Sequence, residues 1–217
     1  MKILSLNVGV PRTIEYRGGQ FITGIFKQPV AGRVQLRRLN LDGDRQADLT
    51  VHGGPYKAVY VYPHEHYEYW RSALPHRELP LAAFGENFTS EGLLESDVHI
   101  GDTFAVGSAE VTVTQPRQPC YKLNLRFDDE FMVKRFLASG RSGFYLSVTQ
   151  PGEVAAGDDL QMVSRDPQSI SIADFNRLYL AKHHSAADAE MIARLMKIPA
   201  LPQDWKDYFR EQLSIRK

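Results

Sequence analysis

The sequence predicts a mixed α and β protein that is mainly β, a curled or closed antiparallel sheet with a small helical appendage. Through about Arg165, apolar residues recur at short range, and turn-forming clusters such as Asp42-Gly43-Asp44, Gly53-Gly54-Pro55 and Pro151-Gly152 separate the runs. Beyond Asp166-Pro167 the apolar spacing becomes helical. The chain therefore divides into a β-barrel domain, residues 1–165, and a three-helix C-terminal extension, residues 166–217.

Taken in order, the expected strands carry Ile3, Leu4, Leu6 and Val8; Val34, Leu36 and Leu39; Ala58 to Tyr62; Val98 and Ile100; Phe104 and Val106; Val111 and Val113; Phe144, Leu146 and Val148; and Leu160 and Met162. Two helices interrupt them. One begins near Pro63, a residue suited to a first turn, and passes through His66, Tyr67 and Trp70; the other runs from about Asp128 to the stop signal Gly140. In the extension, Ser171 with Asp174 and Ser185 with Asp188 resemble capping boxes, and Pro202 precedes the third helix. A tail this short makes a marginal core alone, so it is expected to pack on the barrel or on a partner.

With 217 residues, 43% hydrophobic and 24% charged, the chain has the composition of a globular protein. Twenty-six basic residues balance 26 acidic ones, so no global field draws it onto a nucleic acid polymer or an anionic membrane, and any basic site must be local. The N-terminus lacks the features of a signal peptide and no apolar run is long enough to span a bilayer. The single cysteine excludes an internal disulfide and a multi-cysteine zinc site within the chain. Cytoplasmic residence is the expectation.

Three clusters could carry chemistry. In Gln115-Pro116-Arg117-Gln118-Pro119-Cys120-Tyr121-Lys122, prolines stiffen a loop after a strand, and Arg117 and Lys122 flank the thiol. Nearby cations favour a thiolate, which both a nucleophile and a soft-metal ligand require. A buried, inert cysteine fits the segment equally well. In Asp48 to Ala58, the paired Gly53 and Gly54 beside His52 permit close backbone approach to a ligand, with Lys27 and Arg45 upstream as sources of charge. In Gly85-Glu86-Asn87, the asparagine offers a donor and an acceptor suited to a heterocycle, though turn chemistry explains it equally. His64 and His66, two apart on the expected helix, point to different faces and do not suggest a shared metal.

Together these clusters resemble the MOSC-domain family, and within it the YiiM-type hydroxylaminopurine-resistance group. The resemblance rests on Thr23-Gly24-Ile25-Phe26-Lys27, Asp44-Arg45-Gln46-Ala47-Asp48, Val51-His52-Gly53-Gly54, Tyr62 with Glu65-His66-Tyr67, Gly85-Glu86-Asn87, Ile100-Gly101-Asp102 and Gln115 to Cys120, together with the helical tail. It implies a MOSC-type β-barrel that carries a molybdenum cofactor (molybdopterin with Mo), with Cys120 as the metal's protein ligand. Lys27, Arg45 and Arg117 would meet the cofactor phosphate, and His52, Gly53, Gly54 and Asn87 would cradle phosphate or pterin. The implied activity is reduction of small N-hydroxylated substrates, hydroxylaminopurine-type bases foremost, to amine and water, with His52 or a water giving protons. No dinucleotide or flavin fingerprint and no further cysteine is present, so a separate electron-donor reductase is expected as partner.

Two other readings stand beside this one. A thiol hydrolase would use Cys120 as nucleophile, His52 as base and Asp48 or Asn87 as orienter. A non-catalytic carrier of cofactor or sulfur would bind but not turn over.

Overall fold

The computed structural model describes residues 1–48 and 52–214; the motif residue Val51 and the last three residues of the extension lie outside them. Among the described residues twelve strands form: β1 (Lys2–Val8), β2 (Arg12–Tyr16), β3 (Gly19–Thr23), β4 (Gln28–Pro29), β5 (Val34–Leu36), β6 (Val59–Pro63), β7 (Phe88–Glu91), β8 (Thr103–Val106), β9 (Ala109–Pro116), β10 (Phe144–Gln150), β11 (Gly152–Val154) and β12 (Leu160–Ser164). The helices are α1 (His66–Ala73), α2 (Tyr121–Phe127), α3 (Met132–Ser139), α4 (Ile172–Leu180), α5 (Ala186–Leu195) and α6 (Gln203–Ser214).

Eight strands make one curled sheet in the order β12-β8-β9-β10-β6-β7-β1-β4. Every pair is antiparallel except β6 with β7, whose parallel alignment requires the crossover that carries α1. The curl brings the far strands back together. Ile3 N–H donates to Asp158 O (3.0 Å), Gly157 N–H to Ile3 O (2.7 Å) and Leu160 N–H to Met1 O (2.9 Å), which joins β1 to the approach of β12. The edge that a half-barrel would otherwise expose is thus partly paired.

The strand expectations hold with two exceptions. Val98 and Ile100 are buried but lie in a turn, pinned where His99 N–H donates to Asp102 Oδ2 (2.8 Å) and Ile100 N–H to Ile170 O (2.9 Å). Leu39 follows β5 in an exposed turn and is 53% accessible. Two helix starts also differ. Pro63 ends β6, where its missing amide costs nothing, and α1 begins at His66. Asp128, expected to open a helix, instead closes the unexpected α2 in the left-handed conformation (φ 44°), and α3 begins four residues later. Aspartate tolerates that conformation, so its signal is ambiguous between start and stop.

In the tail, Ser171 caps α4 by accepting from Asp174 N–H (3.0 Å), and Ser185 with Asp188 forms a full reciprocal capping box on α5. Phe175, Ile192, Leu195 and Phe209 join Val111, Val113 and Phe104 in one apolar cluster, so the core runs continuously from sheet to tail. A second cluster gathers Tyr62, Tyr67, Trp70, Phe84, Leu123 and Phe136 beneath α1 to α3. His66 Nε2 pairs with Glu95 Oε2 (2.7 Å) while the His64 ring stacks on Tyr67, so each histidine is occupied separately.

Hydrogen bonds from Ser185 and Arg177 hold the Asp188 carboxyl down at about 2, against 3.8 for an ordinary aspartate. Because the folded value is the lower, the carboxylate contributes stability above about pH 4 and loses it as pH falls toward 2. Ser185→Ala should cost about 1 kcal/mol at pH 7, lowering Tm by a few degrees. The penalty should shrink at pH 2; a pH-independent penalty in paired thermal melts would contradict this account of the cap.

Candidate active site

The site is assembled where β9 runs out. Arg117 N–H extends the ladder by donating to Gly143 O (3.3 Å), and Gly143 must be glycine: its φ is 61°, and a Cβ there would lie 2.3 Å from Val61 O. This turn delivers the Arg117 guanidinium between the rings of Tyr60 and Phe136, 5.0 Å from each centroid. Tyr60 and Tyr145 are register partners on β6 and β10, so two adjacent strands project rings toward the same guanidinium. Pro119 then directs the chain into Cys120, whose extended backbone (φ −120°, ψ 172°) caps the start of α2. Cys120 is half-buried, and its Sγ lies 3.5 Å from His52 Nε2.

A cleft of about 690 Å³ opens beside the thiol. Lys27, Arg45, Lys57, Arg117 and Lys122 line it, and among its described lining residues there is no aspartate or glutamate. In a chain whose charges cancel, this is a local concentration of cations, chemistry suited to an anion.

The cations are not equivalent. Lys27 is buried and paired with Asp44, and burial pushes its pKa below the ordinary lysine value against the opposing pull of that carboxylate. Asp44, itself 2% exposed, also accepts from Gly9 N–H (2.9 Å) and from Asn87 Nδ2 (3.0 Å). Asn87 in turn donates to Asn7 O (3.2 Å) and accepts from Tyr60 N–H (3.1 Å). Asn87 therefore lines the cleft with its amide engaged by β1, by β6 and by the Asp44 carboxylate.

Arg117 differs: its Nη1 is buried with no hydrogen-bond partner among the described residues, as is His52 Nδ1. An unmade bond at a buried polar atom costs about 1–3 kcal/mol, so two of them on residues that line a cationic cleft are donors or acceptors a ligand could satisfy. Burial and the neighbouring Lys122 and Lys57 push the His52 pKa below its usual value, which keeps the imidazole neutral.

Gly53 and Gly54 both adopt positive φ (84° and 83°). Gly53 lines the cleft, whereas Gly54 sits outside its lining and caps the short turn Pro55–Lys57. Arg45 is exposed at the rim. The hydrogen bond that the orienter of a thiol hydrolase would make to the imidazole is not seen among the described residues, although the Asp48 charge acts on His52. His52 Nδ1 has no hydrogen-bond partner there, and the backbone N–H of His52 is what donates to Asp48, at the carbonyl oxygen (3.0 Å).

A wider outer cleft, about 1680 Å³ of open space, shares His52, Cys120 and Tyr145 with the first. The thiol and imidazole thus stand where a cationic cradle meets an open approach. Sequence reasoning does not single out Tyr60, Tyr145, Lys57 or Asp44 as site residues. Asp44 stands in a turn-like Asp-Gly-Asp and in the motif Asp44-Arg45-Gln46-Ala47-Asp48 without an assigned role, and its burial follows from contacts with residues 9, 27 and 87 that no local pattern reveals.

Breaking the buried pair by Asp44→Ala should cost about 3–5 kcal/mol in the ligand-free protein. Arg117→Met removes a buried cation with an unmade bond and should cost clearly less. Urea denaturation of both variants decides; an Arg117→Met loss equal to that of Asp44→Ala would make the guanidinium a structural element.

Comparison with known proteins accords with this geometry. Residues 48–161 match the MOSC domain and residues 170–216 match the YiiM-like, 3-alpha helix domain. The protein YflK of Bacillus subtilis (strain 168) is 45% identical over 97% of this chain and 93% of its own length. The crystal structure of YiiM from Geobacillus stearothermophilus superposes with a TM-score of 0.80 at 35% identity, covering 98% of each chain. A protein of Gibberella moniliformis (strain M3125 / FGSC 7600) named a reductase is 30% identical over 84% of this chain, which corresponds to 32% of that longer protein. On these matches and on the fold, the chain belongs to the MOSC-domain family, in the YiiM-like group that carries a three-helix domain after the sheet.

Proposed function

We propose that this protein is a molybdenum-cofactor-dependent reductase of N-hydroxylated compounds, with hydroxylaminopurine-type bases as substrates. The observation that carries the reading is the position of Cys120, a lone thiol at the junction between a cationic cleft and an open approach. The residues fit the cofactor. Arg117 offers a buried donor with an unmade bond and Arg45 a rim guanidinium for its phosphate, Gly53 permits close backbone approach, and the Cys120 sulfur suits a soft metal.

When bound, the cofactor supplies a two-electron redox centre to which Cys120 contributes one protein ligand. The overall change is R–NH–OH plus two electrons and two protons giving R–NH₂ and water. The N–O bond breaks, nitrogen keeps a hydrogen, and the oxygen leaves protonated. His52 is the proton handler in this reading: it stands next to Cys120, and the ring edge that has no partner among the described residues can relay a proton. Lys27 serves the site through its pairing with Asp44, which fixes the wall and softens the local charge. The electrons come from a separate reductase, a reading supported by the single cysteine and the missing nucleotide fingerprints.

Protein made in a molybdenum-replete host should contain molybdenum and release a fluorescent oxidised pterin. Cys120→Ala should lose the metal and the hydroxylaminopurine reductase activity while keeping its circular dichroism spectrum and Tm. Wild-type protein with neither metal nor pterin, or a variant with normal content and activity, would overturn the proposal. Bound cofactor without turnover under any reductant would mark a carrier instead.

A further inference from the structure

The outer cleft has two walls of different origin. One is the barrel side, with Tyr56 from the turn after Gly54, Gln115 at the end of β9 and Tyr121 at the start of α2. The other belongs to the helical tail, where α6 presents Trp205 and Tyr208. The walls are tied together: Trp205 Nε1 donates to Gln115 Oε1 (2.6 Å), and the buried Gln115 donates in turn to Tyr56 O (3.4 Å). On its tail side the indole is boxed at right angles by Phe175 (4.9 Å, 90°) and Tyr179 (5.4 Å, 87°). The ring therefore has a fixed plane yet stays partly exposed, and it borders the same open space as Cys120 and His52.

We infer that Trp205 is the specificity-determining residue of the substrate cleft, selecting flat heteroaromatic N-hydroxylated bases by stacking, and that Gln115 positions it. The inference rests on the reductase reading for its reaction but on the cleft geometry for its binding. A rigid aromatic face is suited to this task because its rotamer entropy is already lost, and base stacking on such a ring is insensitive to the base's hydrogen-bonding pattern. Tyr121 and Tyr56, 53% and 41% exposed, supply further aromatic surface across the gap. A small aliphatic hydroxylamine has no flat face to offer and would reach the thiol junction without using the indole. The tail is in this view a part of the site, through a wall that the barrel cannot build from its own strands.

Two measurements on holoprotein test it. First, the chain has two tryptophans, and Trp70 is 1% exposed, so 6-hydroxylaminopurine binding should quench the emission of the accessible Trp205 in wild-type protein. Second, Trp205→Leu should weaken 6-hydroxylaminopurine binding in equilibrium dialysis, and raise its KM, about tenfold with kcat little changed. Its kcat/KM for N-methylhydroxylamine should stay within about twofold of wild type. Trp205→Phe keeps an aromatic ring in the box but lacks the N–H that Gln115 holds, so it should recover part of the purine affinity, and it serves if the leucine variant does not fold. Absence of quenching at saturating purine, or equal losses on both substrates, overturns the inference. Should wild-type protein reduce neither compound yet bind the purine through Trp205, the reductase reading fails and the cleft assignment stands.

Discussion

The buried carboxylate of Asp44 is the point from which the site is hung. It takes hydrogen bonds from the backbone after β1, from the side chain just before β7, and from Lys27 ahead of β4, so three segments distant in sequence meet on two oxygen atoms. Burying that charge is costly, and the cost is offset because these bonds are internal and Lys27 supplies the opposite sign. The partners are held by further bonds of their own. Asn87 bonds Asn7 O and Tyr60 N–H, and Tyr60 stacks over Arg117. The position of the Arg117 guanidinium is therefore inherited, through a chain of satisfied bonds, from a carboxylate that does not line the cleft.

Satisfied and unsatisfied groups divide the labour. Lys27 and Asn87 in the wall are both bonded to Asp44 behind it, while Arg117 Nη1 and His52 Nδ1 have no partner among the described residues. Proteins pair buried polar atoms almost without exception, so the unpaired ones carry more information about binding than the full set of charged residues does. The two fused clefts follow the same division, one polar and cationic, the other bordered by aromatic rings and reaching the tail.

Much of this is legible in the sequence, for physical reasons that can be named. Alternation along Phe144, Leu146 and Val148 and the hydroxyl–carboxylate pairs at Ser171 and Ser185 are local signals, and local signals survive into the structure. The prolines mark the run that presents Cys120, but the strand reaches further than expected: Gln115 and Pro116 end β9, and only residues 117–119 form the loop before the Cys120 cap. Helix α2 escapes because Tyr121 to Phe127 is too short to show a period, and because Asp128 can be read as either a start or a stop. Asn87 stands out as a ligand reader since side-chain chemistry is visible in a sequence, but the bonds that already occupy it come from residues 7, 44 and 60 and are not. The aromatic wall of α6 reads as an ordinary apolar helix face; that part of this face borders a cleft depends on how the tail docks.

The seam that joins Met1 and Ile3 to residues 157 to 160 bears on how the chain is made. During synthesis the first strand leaves the ribosome long before the segment that completes this edge, at about 5–20 residues per second a wait of roughly ten seconds or more. Until then one edge of β1 offers unpaired amides and carbonyls beside apolar residues, a natural binding strip for a chaperone. The C-terminal helices emerge after the barrel strands, so a nascent chain has a nearly finished barrel before it has the tail wall of the approach to its thiol.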